Sequence, residues 1–171
     1  MIVDSHCHLI HEKNELSIDE IISNAKKKGV SKLLNISTNK DDFYQCIDIS
    51  ETYKNVFTSI GIHPHEADQM NKNIYEKILK LSSHKKVIGI GETGLDFFYN
   101  NSKKNMQIDS FLQHIKLSKH TNLPLVIHMR EAETDMLDII EHEYKKSPFS
   151  GVIHCFTGSS KFAERLLKID F

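Results

Sequence analysis

The sequence predicts an α/β fold built on a parallel sheet. Short β-branched runs and longer amphipathic stretches alternate six times along the chain. The runs lack strict apolar–polar alternation, as strands covered on both faces do. Histidine or glutamate stands at the carboxyl end of five of the six runs, the end at which parallel α/β folds assemble their sites.

Taken in order, Met1–Asp4 supplies the first strand through Ile2 and Val3. Ser17–Lys28 is the clearest helix: Ser17 and Glu20 form a capping box, Ile18, Ile21, Ile22 and Ala25 share a face, and Gly29 ends it. Leu33–Ser37 follows as a strand, then a helix near 40–53. Val56–Ile62 is the third strand, with a helix near 71–83 behind it. Lys86–Gly91 is the fourth, Pro124–His128 the fifth and Gly151–Cys155 the sixth, each leading to a helix, near 102–121, 131–145 and 159–169. With neither an internal repeat nor a low-complexity linker, residues 1–171 read as one domain.

Composition narrows the function classes. The 171 residues are enough to bury a sizeable core without a disulfide or metal staple. Basic and acidic residues, 22 against 23, nearly cancel, so no global electrostatic footprint for nucleic acid is present. No run approaches the roughly 18 apolar residues of a membrane span, and Met-Ile-Val-Asp-Ser-His is not a signal peptide. The three cysteines, Cys7, Cys46 and Cys155, are widely spaced and form no C-x-x-C pair, which suits reduced thiols in a cytoplasmic protein. Arginine is nearly absent, with only Arg130 and Arg165, whereas histidine is abundant at 11 residues. Histidine is the commonest metal ligand and the neutral-pH acid–base group.

The motifs place that chemistry. In Asp4-Ser5-His6-Cys7-His8, two imidazoles two residues apart on extended chain point to one side, as a chelating pair must. Cys7 points the other way, into packing, and Cys155 is likewise expected to be a buried core thiol. Gly89-Ile90-Gly91-Glu92-Thr93-Gly94-Leu95-Asp96 puts Glu92 on a glycine-flanked segment, where close backbone approach holds a carboxylate rigidly. Asp96 reads as a cap or as a group supporting a ligand from behind. His128 and His154 each close an apolar strand. Arg130, two residues past His128, suits bidentate contact with phosphate or carboxylate. Gly61-Ile62-His63-Pro64-His65 reads as a further substrate-facing loop, with His65 equally readable as part of a structural His-Pro turn. His11, His84, His114, His120 and His142 are expected on loops or polar helix faces.

These segments together resemble the TatD family of metal-dependent deoxyribonucleases, within the wider amidohydrolase-type barrels. The resemblance rests on DSHCHL, GIHPH, GETGLDFFY, the Gln107/Phe111/Gln113 helix leading to LPLVIHMREA, and GVIHCFTGS, in that order over essentially the whole chain. It implies a TIM-type (β/α) barrel and hydrolysis of phosphodiester bonds in DNA. It also implies two divalent cations about 3.5–4 Å apart. His6 and His8 match the first metal pair, Glu92 the bridging and catalytic carboxylate, and His128 and His154 the second metal's ligands. His63 and Arg130 match groups near the substrate phosphate. The donor set admits magnesium, manganese or zinc.

A complete (β/α)₈ barrel takes about 250 residues. The chain accounts for about six of eight units, and no Glu-Thr-Asp-Ser-Pro-like segment, which carries the family's last aspartate ligand, occurs in it. The expectation is therefore an incomplete barrel lacking the last two βα units and weakly active alone. The open edges of its first and last strands would associate with another chain or with a missing C-terminal segment. A non-catalytic metal-binding remnant and an esterase or amidase of the same barrel type are the competing readings.

Overall fold

The computed structural model describes residues 1–10, 15–169 and 171; the loop expectation for His11 lies outside them. Six strands, β1 (Ile2–Cys7), β2 (Val30–Ile36), β3 (Val56–Ile60), β4 (Val87–Asp96), β5 (Leu125–Arg130) and β6 (Gly151–Ile153), alternate with α1 (Ile18–Lys27), α2 (Phe43–Thr52), α3 (Lys72–Leu81), α4 (Lys104–Thr121), α5 (Glu133–Lys146) and α6 (Ser160–Leu167). A short 3₁₀ segment, Pro64–Gln69, precedes α3. All strand pairs are parallel and the sheet order is sequential, β1 to β6. The sheet curls strongly: His6 on β1 and His154 just beyond β6 stack with ring centroids 3.8 Å apart, although four strands separate theirs. This is an incomplete TIM-type barrel.

The helices form for the reasons their sequences carry. Ser17 caps α1 with the reciprocal Glu20 contact in place, and Gly29 follows with φ +86. Asn71 caps α3 by accepting from the Asn73 and Ile74 amides, and Ser159 caps α6 by accepting from Phe162. The main core joins β3–β5 to α2–α5 around Phe43, Ile60, Ile90, Phe111, Ile115, Leu125 and Ile140. A smaller one joins Leu9, Ile22, Leu33, Ile49 and Val56.

Several strand ends differ from expectation, and the differences matter for the site. β1 runs to Cys7, so His6 lies in the strand and only His8 follows it. β4 runs five residues past Gly91, carrying Glu92 and Asp96 inside it. Gly91 and Gly94 explain the extension: their φ values are +140 and +135, and a Cβ would stand 2.4 Å from the Val126 carbonyl oxygen and 2.0 Å from that of His128, respectively. The strand bends close against β5 there as only glycine permits. β6 stops at Ile153, because Cys155 turns into the left-handed region at φ +46. Among the described residues, β1 and β6 each pair on one side only, and Ile2, Val3 and Val152 are exposed on them.

Candidate metal centre

Glu92 is the centre of the site. Its amide donates to the Ser37 carbonyl at 3.0 Å, and the residue is 1% exposed. Five imidazoles face its two oxygens. His154 Nε2 lies 2.7 Å, His128 Nδ1 3.1 Å and His63 Nε2 3.5 Å from Oε1; His6 Nε2 and His8 Nε2 lie 3.3 and 3.7 Å from Oε2. These groups come from β1, β4 and β5 and from the segments just beyond β1, β3 and β6. The histidines are at the carboxyl ends of the parallel strands and Glu92 faces them from inside β4, so one mouth collects them.

Burial alone would raise the Glu92 carboxyl, but hydrogen bonds from His128 and His154, with the His6 imidazole close by, hold it well below the usual carboxylate range. Burial also works against a charged His128; its contacts with Glu92 and Asp96 overcome that and raise its pKa. His63 goes the other way: burial pushes it down to about 3 against the opposing pull of Glu92. Burial lowers His8 too. The cluster thus holds one firmly ionised carboxylate among imidazoles of differing basicity.

The surrounding scaffold is polar and buried. Asn35 Oδ1 on β2 accepts the Leu9 amide at 3.0 Å, pinning the chain just after His8. Ser37 Oγ accepts the Gly61 amide and donates to its carbonyl. His114 on α4 is fully buried; its Nε2 accepts the Ile62 amide at 3.0 Å, and its Nδ1 donates to the Ser110 carbonyl at 2.7 Å. Gln107 clamps the end of β4, accepting the Asp96 amide and donating to the Asp96 and Ser102 carbonyls. His63 Nδ1 accepts the His65 amide at 3.1 Å.

Beside the cluster opens a cleft of about 840 Å³, lined by His128, Arg130, Lys104, His154, Cys155 and Thr157 among others. The Arg130 guanidinium lies over the Phe98 and Tyr99 rings, 4.1 and 4.7 Å from their centroids. A second, smaller recess is lined by His8, His63, His65, Glu92, His128 and His154.

The sequence profile described as TatD related DNase matches residues 3–171. The chain belongs to the TatD family. It is 34% identical over 171 residues to the uncharacterized metal-dependent hydrolase YabD of Bacillus subtilis (strain 168), matching all of this chain and 67% of that protein. It is 32% identical over 141 residues to the 3'-5' ssDNA/RNA exonuclease TatD of Escherichia fergusonii, covering 82% of this chain and 54% of that one. The crystal structure of YJJV, a TatD homolog from Escherichia coli K12, superposes with a TM-score of 0.86 at 26% identity over 98% of this chain and 65% of its own. The chain therefore spans about two thirds of the length of these TatD relatives, or less.

The donors present fit a metal ion, in keeping with the name metal-dependent hydrolase that relatives such as YabD carry. Among the described residues, Glu92 Oε2 and His6 Nδ1 are buried side-chain atoms without a hydrogen-bond partner. His6 Nε2 and His8 Nε2 face each other at 3.2 Å beside that oxygen, leaving one shared point for a cation between three donors. His63, Glu92 and His128 form a second group with ligand-like spacing. His63 Nε2 in that group is positioned as a donor to Glu92. Its Nδ1 is engaged as an acceptor, so the neutral ring carries its proton on Nε2, facing Glu92. His154 Nε2, at 2.7 Å, meets the same Glu92 oxygen as His128 Nδ1.

The structure thus brings together His6, His8, Glu92, His128 and His154, with His63 at the same carboxylate and Arg130 on the adjoining cleft. Two sequence expectations need correction. Cys155 is exposed, because the chain leaves the sheet before it. His114 lies in the core rather than on a polar face, with both ring nitrogens satisfied. Asp96 is both a cap and a support: Oδ1 accepts the Phe98 and Tyr99 amides, and Oδ2 accepts from His65 and His128. His114 carried a signal that could have been read. Gln107, Ser110, His114 and Ser118 fall at helical spacing beside Phe111 and Ile115, a polar stripe on a buried face.

Proposed function

We propose that this chain is a divalent-cation-dependent phosphodiesterase of the TatD type, acting on DNA. One observation carries the reading: a buried carboxylate surrounded by five imidazoles at the carboxyl mouth of a curled parallel sheet. A structural role needs one or two partners for such a carboxylate, not five. On this reading His6, His8 and Glu92 hold one cation, and Glu92, His128 and His154 a second. Such cations supply Lewis-acid stabilisation of phosphoryl charge and acidify water.

The chain's own groups do the rest. Glu92, shared between the two sets, fixes their spacing. His63, neutral at physiological pH, presents its Nε2 proton toward the site as a hydrogen-bond donor. Arg130, laid flat on Phe98 and Tyr99, offers a planar fork to a phosphate in the cleft. The exonuclease name of the Escherichia fergusonii relative supports single-stranded DNA as the first substrate to try. The TatD resemblance places one more aspartate ligand in a segment that these residues do not contain. A general base contributes about 10²- to 10⁴-fold, so these 171 residues tested by themselves are expected to turn over slowly.

The test is hydrolysis of single-stranded DNA with manganese or magnesium, beside a Glu92→Ala control. Weak, cation-dependent turnover that disappears with Glu92→Ala is the expected result. Turnover that ignores both the cation and Glu92 would sink the reading.

A further inference from the structure

We propose that Asp96 is the positioning residue of the cation site, holding His128 by Nε2 so that Nδ1 faces Glu92; this rests on the metal-centre reading above. The carboxylate is fully buried and uses both oxygens. Oδ2 accepts from His128 Nε2 at 3.0 Å and from His65 Nε2 at 2.9 Å. Oδ1 accepts the Phe98 and Tyr99 amides at 3.1 and 2.9 Å. A ring nitrogen that donates to a carboxylate keeps its proton there, which leaves the opposite nitrogen as the lone-pair donor. His128 Nδ1, 3.1 Å from Glu92 Oε1, is the nitrogen left for a cation once it gives up the proton it shares with that oxygen.

Asp96 also reaches His63 indirectly. It anchors the His65 ring, and the His65 amide is the group that occupies His63 Nδ1. One carboxylate therefore selects which nitrogen of His128 meets a cation and steadies the contact that keeps the His63 proton on Nε2. Gln107 in turn grips the Asp96 backbone from α4 at both its amide and its carbonyl, so the carboxylate has little freedom.

Asp96→Asn separates this role from a simple cap. The amide oxygen replaces Oδ1 against the Phe98 and Tyr99 amides, which cannot change their protonation. The amide NH₂ then faces His65 and His128, and an imidazole can adapt only by moving its proton. His128 would place that proton on Nδ1, between itself and the cation. The turn survives and the ligand is blocked.

The experiment titrates Mn²⁺ into the unsubstituted chain, Asp96→Asn, His128→Ala and the double variant, with metal-free melting of each as a fold control. Asp96→Asn is expected to weaken Mn²⁺ binding by about 10- to 100-fold, and to cause no further loss in the His128→Ala background. A long-range proton–nitrogen spectrum of the unsubstituted chain with Zn²⁺ gives a reading independent of any variant's folding. It should show His128 protonated at Nε2 and not at Nδ1. Equal binding by Asp96→Asn, an equal loss with His128 absent, or a proton on Nδ1 would each overturn the proposal while the metal-centre reading stands. No binding by the unsubstituted chain would overturn both.

Discussion

Glu92 Oε1 and His154 Nε2 lie 2.7 Å apart although their strands are not neighbours; β5 runs between them. That contact exists because the sheet curls, so the site is a product of the barrel curvature and not of any single motif. Curvature at this point depends on Gly91 and Gly94, where β4 presses against β5.

Gly94→Ala is therefore expected to be strongly destabilising. Its φ of +135 costs about 1–3 kcal/mol for a residue with a side chain, and the new Cβ would meet the His128 carbonyl oxygen at 2.0 Å. Urea denaturation of the variant checks this. A midpoint unchanged from the parent would show that β4 and β5 can separate without consequence.

Acid sensitivity should trace to His114. Burial lowers its pKa to about 4 from 6.5, so the folded chain holds it neutral while the unfolded chain takes up a proton. The stability it contributes is present above pH 6.5 and is lost as pH falls toward 4, by roughly 3 kcal/mol in all. His114→Leu removes this part of the slope. At pH 7 the same variant strands the Ile62 amide, costing about 1–3 kcal/mol. Denaturant titrations of parent and variant at pH 7 and pH 5 measure both; parallel pH slopes would contradict the assignment.

Thiol reactivity should divide the cysteines. Cys155 is exposed, whereas Cys46 is buried and Cys7 half-buried, with its thiol donating to the Leu34 carbonyl at 3.3 Å. Burial pushes both Cys7 and Cys46 up to about 12. A bulky thiol reagent is expected to modify Cys155 rapidly in the folded chain and the other two only on unfolding. Mass mapping that finds Cys46 labelled first would contradict the packing of α2 on the sheet.

The strands and the collecting mouth were legible because buried parallel strands are apolar runs, and a histidine closing such a run is conspicuous. His6, His8, His128 and His154 all stood out in this way. The glycines around Glu92 mark it in the sequence, but its place inside a strand is hidden, since a carboxylate contradicts the pattern by which strands are recognised. Asp96 was harder for the same reason: its double role appears only when His65 and His128 are seen to meet it from two other segments. Cys155 is exposed because one left-handed residue ends β6 early, and nothing in Gly-Val-Ile-His-Cys announces that turn. The burial of His114 is hidden because α4 buries a polar stripe, so its solvent side and its core side look alike in composition.

The most direct measurement is cation stoichiometry and affinity, by calorimetric titration of Mn²⁺ or Zn²⁺ into the metal-free chain beside Glu92→Ala. Because Glu92 faces both histidine sets, its loss should abolish binding at both, while the unsubstituted chain takes up cation with histidine-dependent affinity. Undiminished stoichiometry and affinity in a folded Glu92→Ala variant would contradict the account at its centre.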